Sequence, residues 1–553
     1  MNKIIYSAIA VLGLTVGACS DNYLDNNSPN PGPDDLFATT EAAQYAVNGL
    51  GRLQMNQMIG TQGFSGEGGM LVWYGEFPGN DLVHNRWNST WYNWANLNYL
   101  ENFNHNHNRY AWIYNYKIIA NANAIINSID NAEGPDDEKK FIKAEALTFR
   151  AHAYTWLVQT YCRRWVDSNS GKSRGVVLRT GNEPSDYPCA TLADSYAFIY
   201  KDLDEAIRLF NESSKKRGTG ENDRWLPNVD VAHAIYARAA LARNDWNTAN
   251  DQAALARANY PLMTSDQYRE GFNTPNSEWI WMAYNDNTQT LSYYGPHAYL
   301  SSNGAGTVTR SYGNIISKQL IDQIPEEDSR RWLYGIPRED EDNKINTTSK
   351  PGNITKGPLL NRYKGEYYDR YCHTNTMTYY AYAVMKFLSL PGTIADGCFV
   401  TYRSAEMYYT QAEALYELGK EKDARDLLIE AVKPYNPDYT CTLSGEALRD
   451  EIRLYRRFDL LGEGHNFYDF KRWKLSIERK DWANGGTWPA VFCGKGELSG
   501  NFGPNDKNNW CFSIPLGETN YNKCVNYNVE PDNWDQQKEI NAGKNGDDTN
   551  KQD

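Results

Sequence analysis

Three stretches of this 553-residue chain interleave aromatic rings with side chains that donate or accept hydrogen bonds. The first, residues 73–94, reads WYGEFPGNDLVHNRWNSTWYNW. The second, 279–312, carries Tyr284, Tyr293, Tyr294, His297, Tyr299 and Arg310; the third, 332–371, carries Trp332, Tyr334, Arg362, Tyr363, Tyr367 and Tyr368. Such a mixture suits a sugar, whose C–H faces pack flat on Trp or Tyr while its hydroxyls need Asp, Asn or Arg to orient them. With 40 Tyr and 17 Trp in a chain of mean hydropathy −0.71, the rings cannot all be hidden in a core. The competing use of any one ring is to fill a seam between helices, and Trp91 and Trp94, three apart, fit one inward helical face.

Covalent chemistry finds little support. There is no HExxH, P-loop or GxGxxG, and Gly63-Phe64-Ser65-Gly66-Glu67 misses the nucleophile elbow because Glu stands where its last glycine should be. His105 and His107 alternate on an Asn-rich stretch without a third ligand and read as surface residues. Asp136-Asp137 and the pair Asp340 and Asp342 read as solvated turns; a glycosidase acid/base pair would have to face across a cleft. No catalytic residue, metal ligand or cofactor is assigned, and no EF-hand loop is present. The formal charge of −13, with no basic stripe, argues against a nucleic-acid partner.

The elements that must hold those loops begin after a leader. Lys3 precedes the apolar run Ile4 to Val16, and Gly17-Ala18 lead to Cys19, so residues 1–18 read as a lipoprotein signal peptide and Cys19 as the acylated residue. The apolar run is too short to span a membrane. Residues 19–35, rich in Pro and Asn, suit a tether. Nine cysteines include Cys19 and form no C-x-x-C pair; within the closest grouping, Cys493, Cys511 and Cys524, a disulfide and free thiols are both compatible with export.

Helical periodicity is clear at 110–129 and 138–166, and Thr39-Thr40-Glu41 opens a helix through Leu53. Two windows superpose as tetratricopeptide-like hairpins: Ala240, Ala249, Ala256 and Pro261 in one, Leu415, Ala424, Ala431 and Pro437 in the other. Small residues there let paired helices approach, and the proline ends the second helix. This predicts an all-α dominated fold: a helical hairpin frame over about 110–260 and 400–475, carrying a large irregular loop-rich insert at 262–402. Within the insert Glu278-Trp279-Ile280-Trp281-Met282 alternates like a short strand. The body is expected to span 36–535, with a flexible tail at 536–553.

One family shares the markers at the end of that frame. Arg403, then Glu406-Met407-Tyr408 opening a helix with Ala412-Glu413-Ala414, followed by Arg456-Arg457 and by Gly464, Asp469, Arg472 and Trp473, resembles the hallmark of the SusD/RagB outer-membrane nutrient-binding lipoproteins. Tyr455 stands where the family commonly has Glu before the two arginines. Earlier helices carry matching residues at Asn121, Ala144, Glu145, Ala146, Arg150, Ala151 and Tyr154, and Ser20-Asp21-Asn22 resembles the family's acidic surface-export tag. The resemblance implies a lipid-anchored protein on the cell surface at the outer membrane. It implies capture of extracellular oligosaccharide or polysaccharide and delivery to a SusC-like TonB-dependent transporter, with no enzymatic step. Carried over by position, it points to Asn80, Asp81, Trp87 and Trp91 from the first region and to Tyr293, Tyr294 and Arg310 from the second as ligand contacts. Oligopeptide cargo, and more remotely an α-helical glycoside hydrolase, are the alternatives. The signature residues from Gly464 to Trp473 are expected to be structural, with Arg472 paired to a carboxylate and Trp473 in a seam.

Overall fold

A computed structural model describes residues 37–525, apart from 59–63, 86–88, 219, 286–294, 305–310, 373–376, 394 and 494–499. The leader, Cys19, the tether and the 536–553 tail lie outside the described residues. Helix α1 (Thr40–Leu53) is capped by Thr39, whose hydroxyl accepts the Ala42 amide N–H at 3.1 Å. A π-helical turn, Met70–Glu76, and strand β1 (Leu82–His84) follow. Then come α2 (Asn106–Ser128), α3 (Asp136–Tyr161), α4 (Leu192–Glu212), α5 (Val229–Arg243) and α6 (Trp246–Arg257). The insert contributes β2 (Trp279–Ala283), β3 (Asn314–Ile316) and β4 (Phe399–Arg403). The frame resumes with α7 (Ser404–Glu417), α8 (Glu421–Val432), α9 (Gly445–Asp459) and α10 (Asn466–Trp473).

Each helix from α2 to α9 packs on the next, and α6 packs on α7, so the stack is continuous in space although the insert interrupts it in sequence. The small residues predicted to allow close approach do so: Ala240, Ala249, Ala256, Ala424 and Ala431 are all buried. Between α5 and α6 the turn is only Asn244-Asp245; Asn244 takes the left-handed conformation that ends α5, and the Asp245 side chain accepts the Thr248 N–H to start α6. Across the break in sequence, Arg257 of α6 donates to Gln411 of α7 at 3.0 Å and lies 3.9 Å over the Tyr408 ring.

β2 and β4 pair antiparallel, Ala283 opposite Phe399 and Trp279 opposite Arg403, and close the insert at its base. The alternation expected for Glu278–Met282 is absent from its burial: every residue of β2 is buried, Trp281 packing edge-on against Phe149 of α3 and donating to the Trp225 carbonyl. Just outside the ladder lies an ionic core. Arg403 donates to Glu278 at 2.7 Å, to Glu463 at 2.7 Å and to Asp459 at 2.7 Å; Arg330 reaches Asp459 at 3.1 Å, and Lys386 binds Glu463. Burial would raise the Asp459 carboxyl, but the Arg403 and Arg330 charges hold it at about 2.

The signature helix α10 is structural, as its pattern implied. Arg472 grips Glu413 through two hydrogen bonds of 2.6 and 2.7 Å and Asp469 at 2.8 Å, and the Trp473 indole N–H also donates to Glu413 at 2.7 Å. Burial pushes the Glu413 carboxyl up, yet Arg472 overrides it and holds that group at about 2. Gly464 sits at φ +89°, and a Cβ on the facing Gly75 would meet its carbonyl oxygen at 2.2 Å, so two glycines weld the π-helical turn to the loop before α10.

Candidate functional site

The first aromatic region folds inward. Its π-helical turn places Trp73 parallel to Trp91 with ring centroids 4.8 Å apart, and Trp91 also lies 3.8 Å from the His84 ring and 5.9 Å from Tyr299. Trp94 and His107 extend the slab, and Tyr99 stacks on His107 at 4.4 Å. His107 is therefore no surface residue: burial, with the neighbouring His105 charge adding, lowers its imidazole to about 3. His105 instead caps α2, its Nδ1 accepting the His107 N–H at 3.1 Å.

Three of the expected contact residues belong to this support. Trp91 is buried and offers no open stacking face. Asp81 is fully buried, with its carboxylate gripped by Arg457 at 2.8 and 2.6 Å and by the Asn466 amide. Asn80, also buried, accepts the Glu478 N–H at 2.9 Å, while Arg479 donates to the Pro78 and Gly79 carbonyls at 2.8 Å each. Their polar groups satisfy the protein rather than a ligand, which corrects the expectation for Asn80, Asp81 and Trp91. Trp87, Tyr293, Tyr294 and Arg310 lie outside the described residues. In the third region Tyr363 and Tyr367 are buried too, Tyr363 donating to the Tyr380 carbonyl at 2.7 Å.

The slab holds up a rim where the described ends of separate loop segments meet. β1 pairs with β3, His84 opposite Asn314, and His84 Nδ1 lies 2.7 Å from Asn314 Oδ1. Asn314 donates onward to the Tyr299 carbonyl, and Asn85 donates to the Gly313 carbonyl at 2.9 Å. Val384 N–H bonds the Asn314 carbonyl at 2.9 Å and Tyr380 OH the Ser311 carbonyl at 2.8 Å. So the residues flanking 86–88, 305–310 and 373–376 converge on one edge, beside a small cavity of about 30 Å³ lined by Leu300, Ser302, Tyr371, Cys372 and Tyr379 among others. Asn85 Oδ1 and Ser302 Oγ are buried there without a hydrogen-bond partner among the described residues. Such groups are completed by water or by a hydroxylated ligand. Asn85 and Ser302 were not singled out from sequence, although Asn85 stands inside the first region and Ser302 inside the second.

Acidic pairs do not assemble an acid/base cleft among the residues considered for one: Asp136 and Asp137 sit in the first turn of α3, and Asp340 and Asp342 are exposed. Cys493, Cys511 and Cys524 form no disulfide with one another.

Solved structures share this architecture. A SusD-like carbohydrate binding protein from Bacteroides vulgatus is 22% identical with a TM-score of 0.70, over 88% of this chain and 97% of its own. A SusD superfamily protein from Bacteroides thetaiotaomicron is 21% identical with a TM-score of 0.67, over 88% and 98%. A third, from Bacteroides fragilis, is 20% identical with a TM-score of 0.65, over 89% and 100%. None of the curated proteins matches. A family model described as starch-binding associating with outer membrane matches residues 54–241, and the SusD family model matches residues 243–547. With more than half of its length matched by that second model, and its hallmark residues forming the ion-paired seams of the frame, this chain belongs to the SusD family.

Proposed function

We propose that this protein captures an extracellular oligosaccharide or polysaccharide at the outer membrane and passes it to a SusC-like TonB-dependent transporter. The observation that carries the reading is the rim: loop ends from distant parts of the chain meet over an aromatic slab on a family frame whose relatives include a carbohydrate binding protein. Trp87, Tyr293, Tyr294 and Arg310 are the proposed ligand contacts, Trp87 and Arg310 because the described neighbours of 86–88 and 305–310 stand at this rim, together with Asn85 and Ser302. A platform of this kind desolvates little of each sugar, so affinity is weak to moderate. Anchoring follows from acylation of Cys19, and body boundaries of 36 to 535 leave the tether and tail outside the fold.

Calorimetric titration with neutral glycan pools tests the reading, with peptide pools as the competing cargo and product analysis as a check for hydrolysis. Trp87→Ala or Tyr294→Ala should weaken glycan binding by about 1 kcal/mol or more while leaving melting unchanged. Binding only to peptides, released reducing sugar, or unaltered affinity in both variants would overturn it. Separately, Cys19→Ala should move the protein from membranes to the soluble fraction.

A further inference from the structure

A second concave site lies away from the rim, where the N-terminal ends of α3 and α5 meet the C-terminal ends of α4 and α6. The cleft encloses about 290 Å³, close to the lower end of small-molecule sites. Lys215, Lys216, Arg217 and Arg224 line it together with the rings of Phe141 and Tyr260. Four cations in one cleft are notable in a chain of net charge −13.

These cations are held mainly by neutral groups. Arg217 donates to the Leu226 carbonyl at 2.9 Å, the Ile280 carbonyl at 3.2 Å and Tyr260 OH at 2.8 Å; Arg224 donates to the Trp279 carbonyl at 2.6 Å; Lys216 donates to the Ser213 carbonyl at 3.1 Å. Carbonyls orient a cation without cancelling its charge. Among the described residues, the only carboxylate within salt-bridge reach of these four cations is Glu138, 3.9 Å from Lys215, and it already accepts the Thr40 hydroxyl at 2.7 Å. Asp230 is engaged by Tyr260 OH and Asn228, each at 3.0 Å. Burial lowers the Arg224 guanidinium below its ordinary value, outweighing Tyr260 and the Glu221 carboxylate, which raise it.

We propose that this cleft is a second binding site, for a sugar unit bearing a carboxylate or sulfate. The cations supply the counter-charge, the buried rings of Phe141 and Tyr260 give the lining its apolar part, and the exposed amide of Asn259 is placed for a hydroxyl. A bare inorganic anion would leave most of the space and the aromatic lining unused. The site is independent of the rim, so it neither needs nor supports the neutral-glycan reading.

The test is titration of the full-length protein with an oligogalacturonide, a sulfated disaccharide, inorganic sulfate and a neutral oligosaccharide, at low and moderate salt. At least one of the two charged sugars should bind saturably and lose affinity as salt rises. Lys216→Gln and Asn259→Asp, the second placing a negative charge in the cleft without removing any clamp, should each weaken that binding about tenfold, and Lys216→Arg should restore it. Melting of each variant is measured alongside, and Trp87→Ala, which tests the neutral-glycan reading, should leave charged-sugar binding intact. No saturable binding of either charged sugar up to about 10 mM overturns the proposal. So does inorganic sulfate binding as tightly as the sugars, or affinity unchanged in Asn259→Asp.

Discussion

Asp81→Ala separates a supporting residue from a ligand contact. The substitution deletes the carboxylate that Arg457 grips at 2.8 and 2.6 Å and to which Asn466 also donates. Arg457 then has no other carboxylate within salt-bridge reach among the described residues and rests on the Phe470 ring at 5.0 Å. Removing one member of a buried pair costs about 3–5 kcal/mol, because the remaining charge stays desolvated. The Arg457 side chain keeps 16% of its surface in solvent, which places the expected loss near the lower bound, about 3 kcal/mol. For a chain of this length the unfolding entropy is roughly 1 kcal/mol/K, so melting should fall by about 3 °C. Guanidinium unfolding gives the free energy, and calorimetric titration of the folded variant gives the affinity. Replacing both partners, as in Asp81→Ala with Arg457→Met, should recover a large part of the loss, since neither charge is then stranded. An Asp81→Ala protein with an unchanged unfolding midpoint and no ligand binding would refute this and return Asp81 to the binding surface.

Gly464→Ala should destabilise by more than about 1 kcal/mol in denaturant unfolding, because φ is +89° and the new Cβ would lie 2.6 Å from Leu71 Cδ2. Burial raises the Glu145 carboxyl to about 8, so the folded state favours its protonated form. The stability it contributes is complete below the ordinary carboxyl range of about 4.5 and is lost as pH rises through about 8. Glu145→Gln should therefore flatten the fall in stability between about pH 5 and pH 8, and parallel pH profiles for the two proteins would contradict the assignment. With no disulfide joining Cys493, Cys511 and Cys524, a thiol reductant should leave thermal melting of the body unchanged, whereas a drop of several degrees would reveal a disulfide.

The frame was legible because its determinants are local. Apolar residues recur at helical spacing in α2 and α3, and the alanines of α5, α6 and α8 mark where helices touch. The rim was legible only as a neighbourhood. Asp81 looked like a hydroxyl-orienting carboxylate because its partner Arg457 lies 376 residues away, and no local pattern announces such a pair. Trp73 and Trp91 looked available because polar residues surround them in sequence, yet the π-helical turn points Trp73 into the same slab that receives Trp91. The strand at Glu278 was visible from its bulky residues, whereas its pairing partner β4 lies more than a hundred positions further on.

Pairing of β2 with β4 has a consequence for how such a protein diversifies. Residues 284–398 leave the helical stack and return to it through one gate, locked by Glu278 and Arg403 at 2.7 Å. Closing a longer segment through a fixed gate is cheap, about 0.6 kcal/mol for each doubling of length, so insertions cost the stack little wherever they spare Arg330, Lys386 and β3, which tie the segment to the frame. Between those ties the segment is in effect a cassette, whose loops can change in sequence and length while the ion-paired gate and the stacked hairpins stay constant. Transplanting a cassette between proteins that share the gate is accordingly a route to new recognition on an old chassis.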